Sequence, residues 1–375
     1  MTNRAIELAL SKDSLDKTDI VAILSATDRQ DLHAIRDRAS EVLKQYCGDE
    51  VYFRGLVEFS NECVNNCIYC GIRLGNPNVQ RYLLSEDDIV ASALWCADKG
   101  YGSVVLQSGE RHDRQFVELV ERSVRRIKNE SRSERLPSGL GITLCVGEQK
   151  REDYERFFAA GAHRYLLRIE SSSPELYARI HPANQKWDDR LACLRWLREI
   201  GFQVGTGVMI GLPGQTLQHL ADDILFFREI DVDMIGMGPY IPHNETPLAA
   251  DHAEYGWQTE DAYRTALLMI AAARIALKDI NIAATTALQA LRPLGREEGL
   301  NFGANVVMPQ LTPMDVRRNY LLYEGKPCLD ESAEQCLDCL ETRIRSIGRR
   351  VGCDAWGDSR HALARGARAD TTARS

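Results

Sequence analysis

Apolar and polar positions along this chain alternate with two periods, one helical and one of strands. Over residues 1–48 Leu8, Ile20, Ile23, Leu24, Leu32, Ile35 and Leu43 stand among charges in a helical pattern. From residue 51 the period becomes two, with Val51, Phe53, Gly55, Val57 and Phe59 on one face of a strand. Ser85-Glu86-Asp87-Asp88 has the form of a capping box and opens a helix that ends near Gly100. Further strands are expected at 103–107, 140–145, 164–169, 203–210, 233–238, 280–285 and 303–307. Most are separated by helices, at 113–130, 150–160, from 174 with a resumption at 188–200, from Thr216, and at 259–277.

About eight strands, most followed by a helix, predict an α/β fold with a closed parallel (β/α)8 TIM-type barrel. The expected organisation is an N-terminal helical extension (1–48), the barrel (49–310), a C-terminal segment (311–353) and a disordered tail (354–375). That tail is rich in Ala and Arg and has no apolar periodicity.

Length and composition fit one barrel with extensions at both ends: 375 residues, 44% hydrophobic and 27% charged. No run approaches the ~18 apolar residues of a membrane span. Arg4, Glu7, Lys12 and Asp13 interrupt the apolar stretch that a secretory signal needs. A net charge of −8 offers no basic excess for nucleic acid. A soluble, cytoplasmic protein is expected, with no nucleic-acid or membrane partner.

Eleven cysteines change that ordinary picture. Cys47, Cys96, Cys145, Cys193 and Cys353 are scattered and read as buried structural thiols. The other six form two tight groups. Cys63, Cys67 and Cys70 make a Cys-x3-Cys-x2-Cys run directly after the first strand. Three thiolates on one short loop can hold three irons of a 4Fe-4S cluster and leave the fourth open to a chelating ligand. A zinc knuckle is the alternative, but no His or fourth Cys follows closely to complete it.

The run also has an aromatic, Tyr69, before its last Cys, and in this it resembles the motif of the radical S-adenosylmethionine (SAM) enzymes. In that family the open iron binds the amino and carboxylate groups of SAM, and one electron cleaves the sulfonium to give a 5′-deoxyadenosyl radical. The resemblance extends to the strand ends. Ser108, Gly109 and Glu110 match the family's motif for the SAM amino group, and Glu170 its carboxylate near the ribose. Gly207 and Gly211 match the glycine motif that brings backbone to the adenine; a tight barrel strand is the plainer reading. Tyr69 is placed at the adenine or in core packing, and Arg190 at the SAM carboxylate or in solvent.

Several longer stretches narrow the resemblance to the HydE-type maturases of FeFe-hydrogenase. They include Phe59-Ser60-Asn61, Leu106-Gln107-Ser108-Gly109-Glu110, Ile210-Gly211-Leu212-Pro213-Gly214-Gln215-Thr216 and Ala284-Thr285-Thr286-Ala287. The resemblance implies a small organometallic substrate, a cysteine-bound iron complex with CO and cyanide supplied by HydG. The radical attacks the cysteine sulfur, and a precursor of the hydrogenase di-iron subcluster passes to HydF. An electron donor is implied as well. Arg168, Thr285 and Thr286 match the family's anion-binding positions, with an ion pair or a plain strand end as the alternatives. Tyr320 and Tyr323 match pocket-lining tyrosines. Cys328, Cys336 and Cys339 match a triad that holds an auxiliary 2Fe-2S or 4Fe-4S cluster near the surface, and zinc is the other occupant considered. Two competing functions are a methylornithine synthase-like lysine mutase and, in a different class, an iron–sulfur electron-transfer protein that does not use SAM.

Overall fold

The computed structural model describes residues 3–373. The described residues form twelve short strands: β1 (Glu50–Phe53), β2 (Gly55–Ser60), β3 (Ser103–Ser108), β4 (Gly141–Cys145), β5 (Arg164–Leu166) and β6 (Gln203–Thr206), then β7 (Met209–Ile210), β8 (Met234–Ile235), β9 (Gly238–Pro239), β10 (Asn281–Ile282), β11 (Val306–Val307) and β12 (Arg350–Val351). Seven of them lie parallel in the order β10-β8-β6-β5-β4-β3-β2.

β11 closes the ring. Asn305 N–H donates to Ile282 O and Ala284 N–H to Val306 O, each at 2.9 Å, while on its other side β11 pairs in parallel with β1. β1 and β2 act as one stave interrupted at Arg54, so the eight-stave (β/α)8 barrel is present. Every residue of β2 is buried, as expected of a parallel strand covered on both faces. Two expected strands are split. Residues 203–210 form β6 and β7, because a Cβ at Gly207 would stand 1.9 Å from Gly236 O, so the two staves cross there on bare backbone. Residues 233–238 likewise divide into β8 and β9.

Helices cover the barrel's outside. Ser85 caps the helix Glu86–Asp98 by accepting from Asp88 N–H, and Thr216 caps Leu217–Glu229 in the same way. The helix Thr259–Leu277 is buried along most of its length, because the N-terminal helices Lys17–Leu24 and Arg29–Tyr46 pack over its outer side. No helix among the described residues is long and apolar enough to cross a membrane.

The expected disordered tail is corrected. Residues 354–359 run across the base of the barrel, and the helix Arg360–Ala373 follows; residues 374–375 lie outside the described residues. The fully buried Arg164 donates to Trp356 O at 2.9 Å and to Asp358 at 2.6 Å. Asn281 and Arg54 both donate to Gly357 O, at 2.8 and 3.1 Å. His361 bridges Asp231 and Asp279, and Arg365 pairs with Asp233. The segment docks by ion pairs, so an Ala- and Arg-rich sequence without an apolar stripe was no sign of disorder.

Candidate active site at the open end of the barrel

The loop between β2 and the helix at Glu86 carries the first cysteine group. Its path is fixed by polar side chains. Asn61 donates to Gln80 O and Asn319 O. Arg81 donates to the carbonyls of Asn61, Ile72 and Arg73, each at 2.7 Å, so one guanidinium ties entry to exit. Gly109 is needed where β3 ends, since a Cβ there would stand 2.3 Å from Glu62 O and 2.9 Å from the Cys63 side chain.

The three thiols lie within electrostatic reach of one another. Burial raises the pKa of Cys67, and Cys70 and Cys63 raise it further. Burial, with Cys63 beside it, pushes Cys70 up to about 12. Backbone N–H groups of Asn65 and Glu110 point at Cys63, and that of Ile72 at Cys70. Thiols crowded together yet met by N–H donors suit three negatively charged sulfurs around a bound cationic group. Among the described residues no three His, Cys, Asp or Glu side chains converge at single-ion distance. Three thiols on one loop suit a polynuclear iron–sulfur cluster, in which each of Cys63, Cys67 and Cys70 would hold a different iron.

Cys70 also lines a cavity of about 300 Å³ at the C-terminal end of the staves. The same cavity gathers Tyr69, Ser108, Arg168 and Glu170 on one side, and Thr285, Thr286, Tyr320 and Tyr323 on the other. Glu170 has φ of +61°, a strained conformation for a carboxylate residue, and sits where β5's backbone turns toward β7. Its carboxylate receives the Arg168 guanidinium in a two-pronged pair at 2.8 and 2.9 Å. The Arg168 fork is therefore occupied by a barrel carboxylate, the alternative weighed from sequence, and its remaining donor edge faces the cavity. Thr285 donates to Met237 O at 3.0 Å, and Thr286 accepts from Arg296. Tyr320 is buried and accepts from Gln107 at 3.3 Å.

Other expected residues stand behind this lining. Arg190 is buried, paired with Glu148 and donating to Arg168 O, so it braces the β5 end from outside the cavity. Glu110 accepts from Asn65 and from Glu148 N–H, and burial holds its carboxyl above the usual range. Gly211, with φ of +94°, forms a turn locked by Gln215, whose side-chain oxygen accepts from Gly211 N–H.

The second cysteine group lies beside the same cavity. Cys328 lines it, Cys336 is buried and Cys339 exposed. Hydrogen bonding from Cys336 pulls Cys328 down to about 6. Only Cys339 has the surface position expected for the whole triad. Of the five scattered cysteines, Cys47, Cys96 and Cys193 are buried as expected. Cys353 is exposed, and Cys145, half-buried at the end of β4, lines the cavity.

One feature of the wall was not anticipated. Glu58 and Lys326 form a buried ion pair at 2.6 Å, with Gln310 donating to the same carboxylate at 2.7 Å. Lys326 lies two residues before Cys328, so the pair fastens the C-terminal segment across the cavity. The signal was present in β2. Its apolar face, Val57 and Phe59, points outward, which leaves Arg54 and Glu58 on the interior face, where a charge needs a partner.

Residues 57–227 match the Radical SAM superfamily. The [FeFe] hydrogenase maturase subunit HydE of Thermotoga maritima is 41% identical over 95% of this chain and 97% of its own length. Biotin synthase 1 of Corynebacterium diphtheriae is 28% identical over 89% of each. Among solved structures, methylornithine synthase aligns over 93% of this chain and 98% of its own, with a TM-score of 0.76 at 22% identity. The maturase HydG of Carboxydothermus hydrogenoformans aligns over 91% of this chain and 78% of its own, with a TM-score of 0.76 at 20% identity. These last two likenesses show the barrel fold, while the first relative sets the closer kinship. The chain belongs to the radical SAM enzymes and, within them, to the HydE family of [FeFe] hydrogenase maturases.

Proposed function

We propose that this enzyme cleaves SAM at a 4Fe-4S cluster held by Cys63, Cys67 and Cys70 and acts on a cysteine-bound iron complex carrying CO and cyanide. The carrying observation is that Cys70 shares one cavity with Arg168, Thr285, Thr286, Tyr320 and Tyr323. Cluster and SAM together supply the 5′-deoxyadenosyl radical. The chain's own residues do the rest. Ser108, Gly109 and Glu110 hold the SAM amino group, Glu170 the ribose, and Tyr69, Gly207 and Gly211 the adenine. Arg190 acts through Arg168 and β5, toward the SAM carboxylate.

The substrate's cyanide and cysteine carboxylate lie against Arg168 and the two threonines. Thr285 donates its O–H to Met237 O, which leaves its oxygen to accept, while Thr286 accepts from Arg296 and keeps its O–H to donate. The cavity-lining side chains Tyr69, Tyr320 and Tyr323 would shield a bound substrate from solvent on the barrel side. The di-iron precursor that results is passed on to HydF, and HydG supplies the substrate. An electron donor reduces the cluster, and the setting is cytoplasmic. Cys328, Cys336 and Cys339 hold an auxiliary iron–sulfur cluster that the chemistry does not require. Accordingly Cys336→Ala is expected to retain substantial turnover.

The test is anaerobic reconstitution with SAM and reductant, with and without the cysteine–iron–carbonyl–cyanide complex, followed by analysis of adenosyl products. An adenosylated product dependent on that complex is expected. Cleavage that responds to lysine instead would assign a mutase. Absence of cleavage with a reducible cluster would assign electron transfer.

A further inference from the structure

Cys67 differs from its two companions in what it meets. Cys63 and Cys70 face backbone N–H groups, those of Asn65 and Ile72 on their own loop and that of Glu110 after β3. The Cys67 thiol instead donates to the side-chain oxygen of Gln185, at 3.1 Å, across 118 positions of sequence. Gln185 is only 7% exposed and does not move freely. Its backbone N–H closes a turn onto Pro182 O at 2.9 Å, and that turn directly follows His181, whose ring stacks on Tyr177 at 3.8 Å.

The direction of this hydrogen bond depends on the proton of Cys67. As a ligand of iron Cys67 is a thiolate with no proton to give, and the amide oxygen would then face an anion. The last torsion of a glutamine is broad and roughly two-fold, so the amide turns over and presents its N–H instead. Donation to a ligand sulfur withdraws charge from the cluster and favours the reduced, more negative form.

We infer that Gln185 is a positioning residue of the first cluster: its amide donates to the Cys67 thiolate and raises the cluster's reduction potential, easing the electron's entry before SAM is cleaved. This rests on the assignment of a 4Fe-4S cluster to Cys63, Cys67 and Cys70. The test uses full-length reconstituted protein without SAM, comparing wild type with Gln185→Leu and Gln185→Glu. Iron content is measured, and the cluster is titrated by electron paramagnetic resonance against redox mediators.

At a fixed ambient potential the ratio of reduced to oxidised cluster is expected to fall about tenfold in Gln185→Leu, equivalent to about 59 mV for one electron. It is expected to fall further in Gln185→Glu, which sets a carboxylate against the sulfur. Loaded variants with the wild-type midpoint overturn the inference. So does loss of iron from both variants, which would make Gln185 a structural support. A wild-type protein that binds no cluster at Cys63, Cys67 and Cys70 fails differently, since it removes the underlying assignment itself.

Discussion

The two ends of the barrel are built from the same staves and use charge in opposite ways. At the base, Arg54 and Arg164 enter the interior and are met by the chain's last segment, through Gly357 O, Trp356 O and Asp358. Trp356 seals the edge by donating to Gly139 O, and Lys128 lies 4.1 Å over its ring. At the open end, Arg168, Thr286 and the thiols of Cys70 and Cys145 face a cavity. Buried polar groups cost stability unless paired, so one end has been closed for stability while the other is held open for a ligand. Strained Glu170 belongs to the open end.

That division can be broken by substitution. The largest effect is expected from Cys70→Ala, which removes a cluster ligand: reconstituted protein should release no 5′-deoxyadenosine from SAM, while its urea unfolding midpoint stays near wild type. Measurable cleavage in that variant would sink the cluster assignment. Asp358→Ala is the counterpart at the base. It leaves Arg164 buried without its carboxylate, and a loss of about 3–5 kcal/mol is expected in equilibrium unfolding. Cleavage per folded molecule at low temperature should be preserved; its loss would show that the two ends are coupled.

Asp223 sharpens the contrast. It is fully buried beneath the loop after β5, and one oxygen accepts from Ser172 N–H at 2.7 Å. Burial raises its carboxyl to about 7. The unfolded chain ionises it near 3.8, so its burden is absent below that pH, grows as pH rises and is complete above 7. Relative to Asp223→Asn, wild type should lose at most about 4 kcal/mol between pH 4 and 7, read by denaturation at several pH values.

His361 at the base has the opposite sign and the smallest effect. Hydrogen bonds to Asp279 and Asp231 raise it to about 9. Its contribution is full below its ordinary value of 6.5 and is lost as pH rises through 9. Amide exchange of the C-terminal helix should accelerate over that window in wild type and be pH-insensitive there, beyond intrinsic chemistry, in His361→Ala.

The sequence was most legible where local spacing carries the physics. Period-two alternation located the staves, Ser85 and Thr216 marked helix starts, and Cys63, Cys67 and Cys70 picked out the loop to which the proposal assigns a cluster. Pairing across the chain was not legible. An ion pair was one reading of Arg168, but neither its partner Glu170 nor the positive φ at that residue was legible. Lys326 meets Glu58 across 268 positions, and Asp358 meets Arg164 across 194. No periodicity reports such partners. Charge on an interior strand face, Arg54 and Glu58, was the one available warning.

The distance between Arg164 and Asp358 also bears on how the protein is made. A ribosome releases the first half of the barrel long before the residue that neutralises its core arginine. Until residues 356–358 emerge, Arg54 and Arg164 lack the groups that receive them, and the base cannot seal. Barrel closure thus waits for residues 356–358. Loading of the proposed cluster on the opposite rim then meets either a finished vessel or one still open at the bottom, depending on which finishes first.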